Sequence, residues 1–579
     1  MCVPGACGAR GRPRGQPTVG GARAMNLLFW AAAVVALLGV LILVHELGHF
    51  IFAKLFDVRV MRLSIGFGPR LFSFTRGETE YRLSLVPLGG YVRLLGEDPT
   101  EAIPPIDRQR RRSLSDKPLW QRYAIVVAGP AFNLLLPLLI YFVHYTGQRT
   151  LLPPIIGSVL PNLPAAEAGL APGDRVETVD GKHIRYWEDL ERVIADSLGH
   201  TLRFGIRRGS DAEERDVTPV QIERSGTLQR KEIVGWIGVS PRFHLPEIGV
   251  LDPNSPAAQA GLKTFDFVTS INGTAVATWA EFGQAVEHAG ASPLRISYLR
   301  GGYSAVPFAH IEIQRPASAV VIPVAIFDGA GHRRYETGLT SAELFVFSVE
   351  PGSPADQIGI RRGDQILELD GQPLPHWDLL RQRLAVSPQR TFKISWLSPG
   401  GQRHEASFRQ EVRSELDAYR QEEERLVFGA MNRLAWKTEP PVPVRNRFGY
   451  AVTHSFERTG NIILTMTYGF VEIVRGRVPL STLGGPIMIG YVAGVAAEQG
   501  FDQYLWLMAV ISVNLALLNF LPVPILDGGL LMFFTIELFK RRPPSVRARQ
   551  IASYVGLVIV ATLMLFALRN DVVRYLLPR

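Results

Sequence analysis

Four stretches of the chain stay apolar for about 20 residues or more, the length that crosses a bilayer. They run from about Leu27 to Phe56, Tyr123 to Tyr145, Tyr504 to Leu521 and Ile551 to Leu568. Basic loops flank them, so they read as membrane spans rather than buried helices of a soluble protein. Between the first two, LSIGFGPRLFSF and TEYRLSLVPLGGYVRLL alternate apolar and polar residues and carry glycines at the bends. That period of two predicts β-hairpins near the membrane face. Residues 104–118 are basic and contain proline, and read as flexible. Arg413 to Arg433 reads as a charged helix, and Thr453 to Val474 as an amphipathic, membrane-lying one. Glu457, Arg458 and Glu472 oppose a fifth span there.

The region between the second and third spans contains one pattern three times. LPAAEAGLAPGDRVETVDG (163–181), SPAAQAGLKTFDFVTSING (255–273) and SPADQIGIRRGDQILELDG (353–371) share proline, alanine, glycine and aspartate at the same offsets. Trp187, Trp279 and Trp377 follow each closing glycine at one spacing. The pattern predicts a short helix ending at Gly169, Gly261 or Gly359, where a left-handed residue costs little. A strand follows, closed by Asp180-Gly181, Asn272-Gly273 or Asp370-Gly371, dipeptides that favour tight hairpin turns. Phe265 stands where the other copies have Gly173 and Gly363, so that loop is expected to be atypical. The repeats resemble bacterial PDZ domains, which bind extended peptides by strand addition. They are taken as 151–242, 243–335 and 336–412, followed by helices over 413–500.

Charge orients the chain. The formal net charge is +9, and its arginines gather in the loop between the first two spans and again at Lys540, Arg541, Arg542, Arg547 and Arg549. Both loops should be cytoplasmic, leaving residues 146–500 outside. Nucleic-acid binding is disfavoured, since no basic patch is interleaved with aromatic residues. Residues 1–24 differ from the rest, being rich in Gly, Pro and Arg, and read as a disordered extension or a start placed too early, with Met25 as the working start. The only cysteines are Cys2 and Cys7, so no disulfide framework or cysteine zinc site can form in the body of the chain. A metal there must be held by His, Asp or Glu.

The first span contains HELGH, His45 to His49. Residues four apart share one helix face, so both histidines can grip one ion, with Glu46 near it as a proton acceptor. Ionisable groups inside a span are costly and signal function. A third protein ligand is then needed. Asp527 lies in NFLPVPILDGG (519–529), where Pro522 and Pro524 break the helix. It reads as that ligand or as a cap of the turn.

HELGH, NFLPVPILDGG, GPAFN (129–133), SLVPLGGYVRLLGE, LGGPIMIGYVAG and the PDZ-like repeats together resemble the site-2 protease family of intramembrane zinc metalloproteases, of the bacterial RseP type (regulator of sigma-E protease). The resemblance covers nearly everything from Met25 onward; three repeats rather than the usual two are its departure. It implies a polytopic α-helical membrane protein of four spans, with inserted α+β PDZ-like domains and a membrane-associated β-hairpin loop. It implies zinc held by His45, His49 and Asp527, with Glu46 as general base. Asn133 would stabilise an oxyanion, and Asn519 and Pro522 would hold the substrate. The substrates would be single-pass membrane proteins, such as an anti-sigma factor already trimmed by a site-1 protease, or remnant signal peptides. The setting would be the bacterial inner membrane, with the repeats periplasmic and acting as a size filter. The rival readings are an inactive scaffold that binds exported peptides and a zinc transporter.

Overall fold

The computed structural model describes residues 19–97, 103–225, 231–306, 309–327, 333–386, 390–416, 422–433, 435–477 and 483–576. The chain forms two units, residues 1–149 with 416–421 and 445–579, and residues 150–415 with 422–444.

Among the described residues of the first unit, seven helices are longer than ten residues: α1 (Val19–Leu55), α2 (Leu119–Gly147), α3 (Arg447–Val474), α4 (Pro486–Gln499), α5 (Phe501–Phe520), α6 (Asp527–Lys540) and α7 (Val546–Asp571). Four of them, α1, α2, α5 and α7, are long and apolar enough to cross a membrane. Leu135, Leu139 and Val143 of α2 and Ile551, Val558 and Leu565 of α7 are exposed, a surface that suits hydrocarbon rather than water. Inside, Leu37 and Leu41 of α1 pack with Ile140 of α2, Ile462 of α3, Ala493 of α4 and Ala509 and Val513 of α5. The alanines let the backbones approach closely. Asp571, buried at the end of α7, accepts from the backbone N–H groups of Gly485, Ile487 and Met488 at 2.9, 2.9 and 3.0 Å. The last span thereby caps the start of α4, whose first N–H groups have no partner within the helix.

The loop after α1 forms β1 (Val60–Arg76) and β2 (Thr79–Leu94). Arg62 to Ile65 have partners on two sides, Arg93 to Gly90 on one and Glu80 to Leu83 on the other. The chain bends at Gly66 and Gly68, both at φ +87°. Among the described residues no further strand joins β1 and β2.

Four segments outside the repeat cores differ from the sequence expectation. Residues 19–24 are helical, not part of a disordered extension, because α1 propagates backwards from its apolar stretch; residues 1–18 lie outside the described residues. Residues 104–118 are ordered by ion pairs. Buried Asp107 accepts from Arg59, and Arg112 holds Glu78 and Asp57. α3 does not lie apart on the membrane surface but packs along α2, beginning with Phe448 on Phe142 and Tyr450 on Tyr145. The expected helix over Arg413–Arg433 is instead a pair of strands, Glu411–Leu416 and Glu422–Val427. Val427 and Phe428 are buried, and Phe428 joins the third repeat's core. A strand ladder satisfies the alternation of these charged residues as well as a helix would.

In the second unit the three repeats fold alike. Each has a four-stranded sheet of the same order: in the first, Lys182–His183, Arg175–Val179, Leu202–Arg208, Asp211–Val217. Val176, Val179, Phe204 and Ile206 pack under the helix Trp187–Asp196. The hairpin dipeptides adopt positive φ at both positions, as at Asp180 (+48°) and Gly181 (+75°). The opening strand of each module pairs with one at its end: Ser158–Val159 with Val239–Ser240, Ile248–Gly249 with Thr340–Ser341, and Val346–Val349 with Ala430–Asn432. The second and third modules therefore close later than 335 and 412, because non-local strand pairing, invisible to the repeat pattern, completes them. The Phe265 loop is not atypical in backbone. Its φ is +74°, beside +95° at Gly173 and +93° at Gly363.

Candidate metal centre

α1 carries His45 and His49 one turn apart, and their Nε2 atoms lie 3.2 Å from each other. Asp527 Oδ2 lies 3.1 Å from His45 Nε2 and 3.5 Å from His49 Nε2. Among the described residues this is the one group of three that could hold a metal ion. The carboxylate reaches it through a tight turn after α5. Val523 N–H donates to Leu521 O, Leu526 N–H to Val523 O and Gly529 N–H to Leu526 O. Only glycine fits there: a Cβ on Gly528 would lie 2.0 Å from Leu521 O, and one on Gly529 2.4 Å from Pro524 Cα. α6 then starts at Asp527.

The donor set suits zinc. A tetrahedral shell of nitrogen and oxygen ligands about 2.0–2.1 Å from the ion has edges of about 3.3 Å, and the three edges here bracket that length. Asp527 Oδ2 is buried and makes no hydrogen bond of normal geometry, a carboxylate oxygen that a cation would satisfy.

Backbone contacts orient the ligands. His49 Nδ1 lies 2.9 Å from Ile125 O and donates to it, leaving Nε2 free to face Asp527. α1 and α2 meet at glycines, where a Cβ on Gly48 would stand 2.3 Å from Ala128 O and one on Gly129 2.2 Å from His49 Nε2. Glu46 is buried and within electrostatic range of both imidazoles and Asp527. A Cβ on Gly90 would stand 3.2 Å from Glu46 Cγ and 2.6 Å from Ile42 Cγ2, so the β2 backbone runs directly beside Glu46.

Asn133 is fully buried with its amide nitrogen 3.3 Å from His45 Nδ1. Asn519 is half-buried in the last turn of α5 and Pro522 is exposed just beyond it. The sequence reading missed Ile125, Gly48 and Gly90. A backbone carbonyl has no sequence signature, but glycines inside an apolar run signal close helix approach.

Residues 33–563 match peptidase family M50. The chain belongs to peptidase family M50. The zinc metalloprotease expected from the motifs is borne out at the level of the family. Among M50 relatives, the regulator of sigma-E protease RseP of Escherichia coli K12 is 28% identical over 94% of this chain and 99% of its own length. Protease RseP of Yersinia pestis is 28% identical over 94% and 99%. A Neisseria meningitidis protein named as a candidate zinc metalloprotease is 28% identical over 93% and 97%. The structure of a PDZ domain protein from Parabacteroides distasonis matches 50% of this chain and 95% of its own at 10% identity, with a TM-score of 0.13 that is too low to bear on the fold.

Proposed function

We propose that this chain is an intramembrane endopeptidase that cuts the transmembrane segments of single-pass membrane proteins. His45, His49 and Asp527 hold the zinc, and Glu46 is the general base. The observation that carries this reading is the convergence of two imidazoles and an unpartnered carboxylate oxygen between helices long enough to span a membrane. The relatives' names support it, since two of them are called regulator of sigma-E protease or protease RseP.

Zinc held there would supply positive charge to polarise the scissile carbonyl and to make a water acidic enough to attack near neutral pH. Glu46 accepts the proton of that water and returns it to the leaving amine nitrogen, so one carboxylate serves as base and then as acid. Its burial beside the donors keeps competing bulk water away from the proton path. A helical substrate hides its peptide bonds in its own hydrogen bonds and must become extended to be cut. The free edge of β2 beside Glu46, bare of side chain at Gly90, supports an extended substrate backbone there by strand addition. The substrate is then an anti-sigma-factor-like protein or a remnant signal peptide, in the inner membrane, with the PDZ-like modules in the periplasm.

The test compares two variants in purified protein. Glu46→Gln keeps zinc and loses cleavage of a model transmembrane peptide, whereas Asp527→Ala loses both. Cleavage by Glu46→Gln at the wild-type rate, or full zinc content in Asp527→Ala, would overturn the assignment.

A further inference from the structure

α6 carries a candidate ligand at one end and a clamp at the other. Asp527 opens the helix, and Glu537 follows ten residues later, about 15 Å along the axis. The Glu537 carboxylate accepts from both terminal nitrogens of Arg122 in α2, at 2.6 and 3.1 Å, so the pair is bidentate. Both side chains are largely buried, at 14% and 16% exposure. The Arg122 guanidinium also lies over the Phe534 ring at 5.1 Å. The next residue of α2 reinforces the contact. Tyr123 Oη lies 2.5 Å from Thr535 Oγ1 and 3.3 Å from Leu531 O, and its ring packs on Phe534 at 5.6 Å.

α2 is also the frame of the two histidines. Three residues after Arg122, Ile125 O takes the Nδ1 proton of His49, and Asn133 faces His45 further along. The imidazoles are therefore set against α2 directly, and Asp527 is set against α2 through α6. α6 has no proline and has glycine only in its first turn, so it carries position along its length. A buried ion pair is a weak source of stability, because desolvating two charges offsets their attraction. What a guanidinium–carboxylate fork adds is direction, since two parallel N–H···O bonds fix both distance and angle. Here the fork joins the two helices whose register sets the gap between Asp527 and His49.

We infer, resting on the zinc-site reading proposed above, that Arg122 and Glu537 are positioning residues for the metal centre: their fork holds α6 on α2 so that Asp527 Oδ2 meets the two imidazoles. They act through the helices and not on the substrate.

The full chain is purified in detergent, and its zinc affinity is measured by competition with a chelator in the wild type, Glu537→Gln, Arg122→Lys and Asp527→Ala. Glu537→Gln lowers the affinity about tenfold, within the range of about 10–100-fold for groups that orient a metal's ligands. Arg122→Lys keeps the charge but cannot form the fork, and falls between Glu537→Gln and the wild type. Cobalt(II) put in place of zinc gives a second readout, because its visible band is strong only while the shell is tetrahedral. The band weakens in both clamp variants. A role in fold stability alone would lower the unfolding temperature and leave the band and the affinity of the folded protein unchanged, and that outcome overturns the proposal. Asp527→Ala separates the two readings. If it keeps full zinc, the metal-centre reading fails and takes this inference with it. If it loses zinc while Glu537→Gln binds as the wild type does, this inference alone fails.

Discussion

The amide nitrogen of Asn133 faces Nδ1 of His45 at 3.3 Å, on the side of the ring opposite the nitrogen that meets Asp527. The Asn133 backbone is held from behind, its carbonyl accepting from Ser512 Oγ at 2.7 Å, while its side-chain oxygen is buried without a partner. A half-turn of the amide exchanges its two ends. The oxygen then accepts from Nδ1–H of His45, as Ile125 O does from His49, and leaves Nε2 free for the metal. Asn133 is in that case a positioning residue for His45 rather than the oxyanion stabiliser that the resemblance implied. Asn133→Leu is expected to weaken zinc retention against a chelator by about 10–100-fold, and Asn133→Asp, which keeps an acceptor, to recover most of it. Wild-type zinc affinity in Asn133→Leu with turnover alone lost would favour the oxyanion role.

Gly129 is a spacer for a ligand ring. A methyl group there would overlap His49 Nε2 at 2.2 Å, whereas one on Gly39, in the same helix as the histidines, would meet nothing within 4 Å. Gly129→Ala is expected to lower both zinc retention and peptide cleavage by more than about tenfold, an overlap that close packing cannot absorb. Gly39→Ala should leave both unchanged. Metal analysis with a cleavage assay on the pair decides it, and equal behaviour of the two variants would refute the spacer role.

Glu343 makes the second unit sensitive to pH. Burial raises its carboxyl to about 7, with Asp378 adding to the rise and the Trp377 N–H opposing it. An unfolded glutamate titrates near about 4.3, so between these values the folded protein keeps a proton that the unfolded chain releases. The stability this contributes is complete below about pH 4.3 and is lost as the pH rises through 7, a change of about 4 kcal/mol. Hydrogen exchange of residues 377–386, corrected for intrinsic rate, should therefore show more opening at pH 8 than at pH 5. Glu343→Gln, which keeps the shape without the titration, should flatten the difference; a slope that survives in the variant would assign it to another group.

Phe265 keeps a left-handed backbone because its ring is used. It packs edge-on against Phe347 at 5.2 Å, and the Arg362 guanidinium lies over both rings at 4.9 and 4.1 Å. The strain of about 1–2 kcal/mol is offset by an aromatic pair and a cation–π contact of about 0.5–1.5 and 0.5–2 kcal/mol. Phe265→Ala loses the contacts and keeps the strain, so it should destabilise by about 2 kcal/mol. Phe265→Gly loses the contacts but relieves the strain, and should cost less than the alanine variant. Thermal unfolding of the two variants tests the order; a glycine variant less stable than the alanine one would refute the account.

Much of this was legible in the chain itself, wherever the cause is local. Apolar length marked α1, α2, α5 and α7 as spans, since a bilayer imposes that length on any helix crossing it. The helical period placed His45 and His49 on one face, and the hairpin dipeptides at Asp180, Asn272 and Asp370 foretold positive φ, which few residue types adopt cheaply. Other features depend on partners distant in sequence. Strands Glu411–Leu416 and Glu422–Val427 read as a helix because their charged residues fit either period until a ladder selects one. The sequence predicts an atypical loop at Phe265 because its neighbours Phe347 and Arg362 belong to the next module. The approach of Asp527 to the histidines, the Ile125 carbonyl on His49 and the Asp571 cap on α4 were decided only by the packed helices. Backbone atoms are common to every residue, so which of them meets a given side chain is a property of how the helices cross.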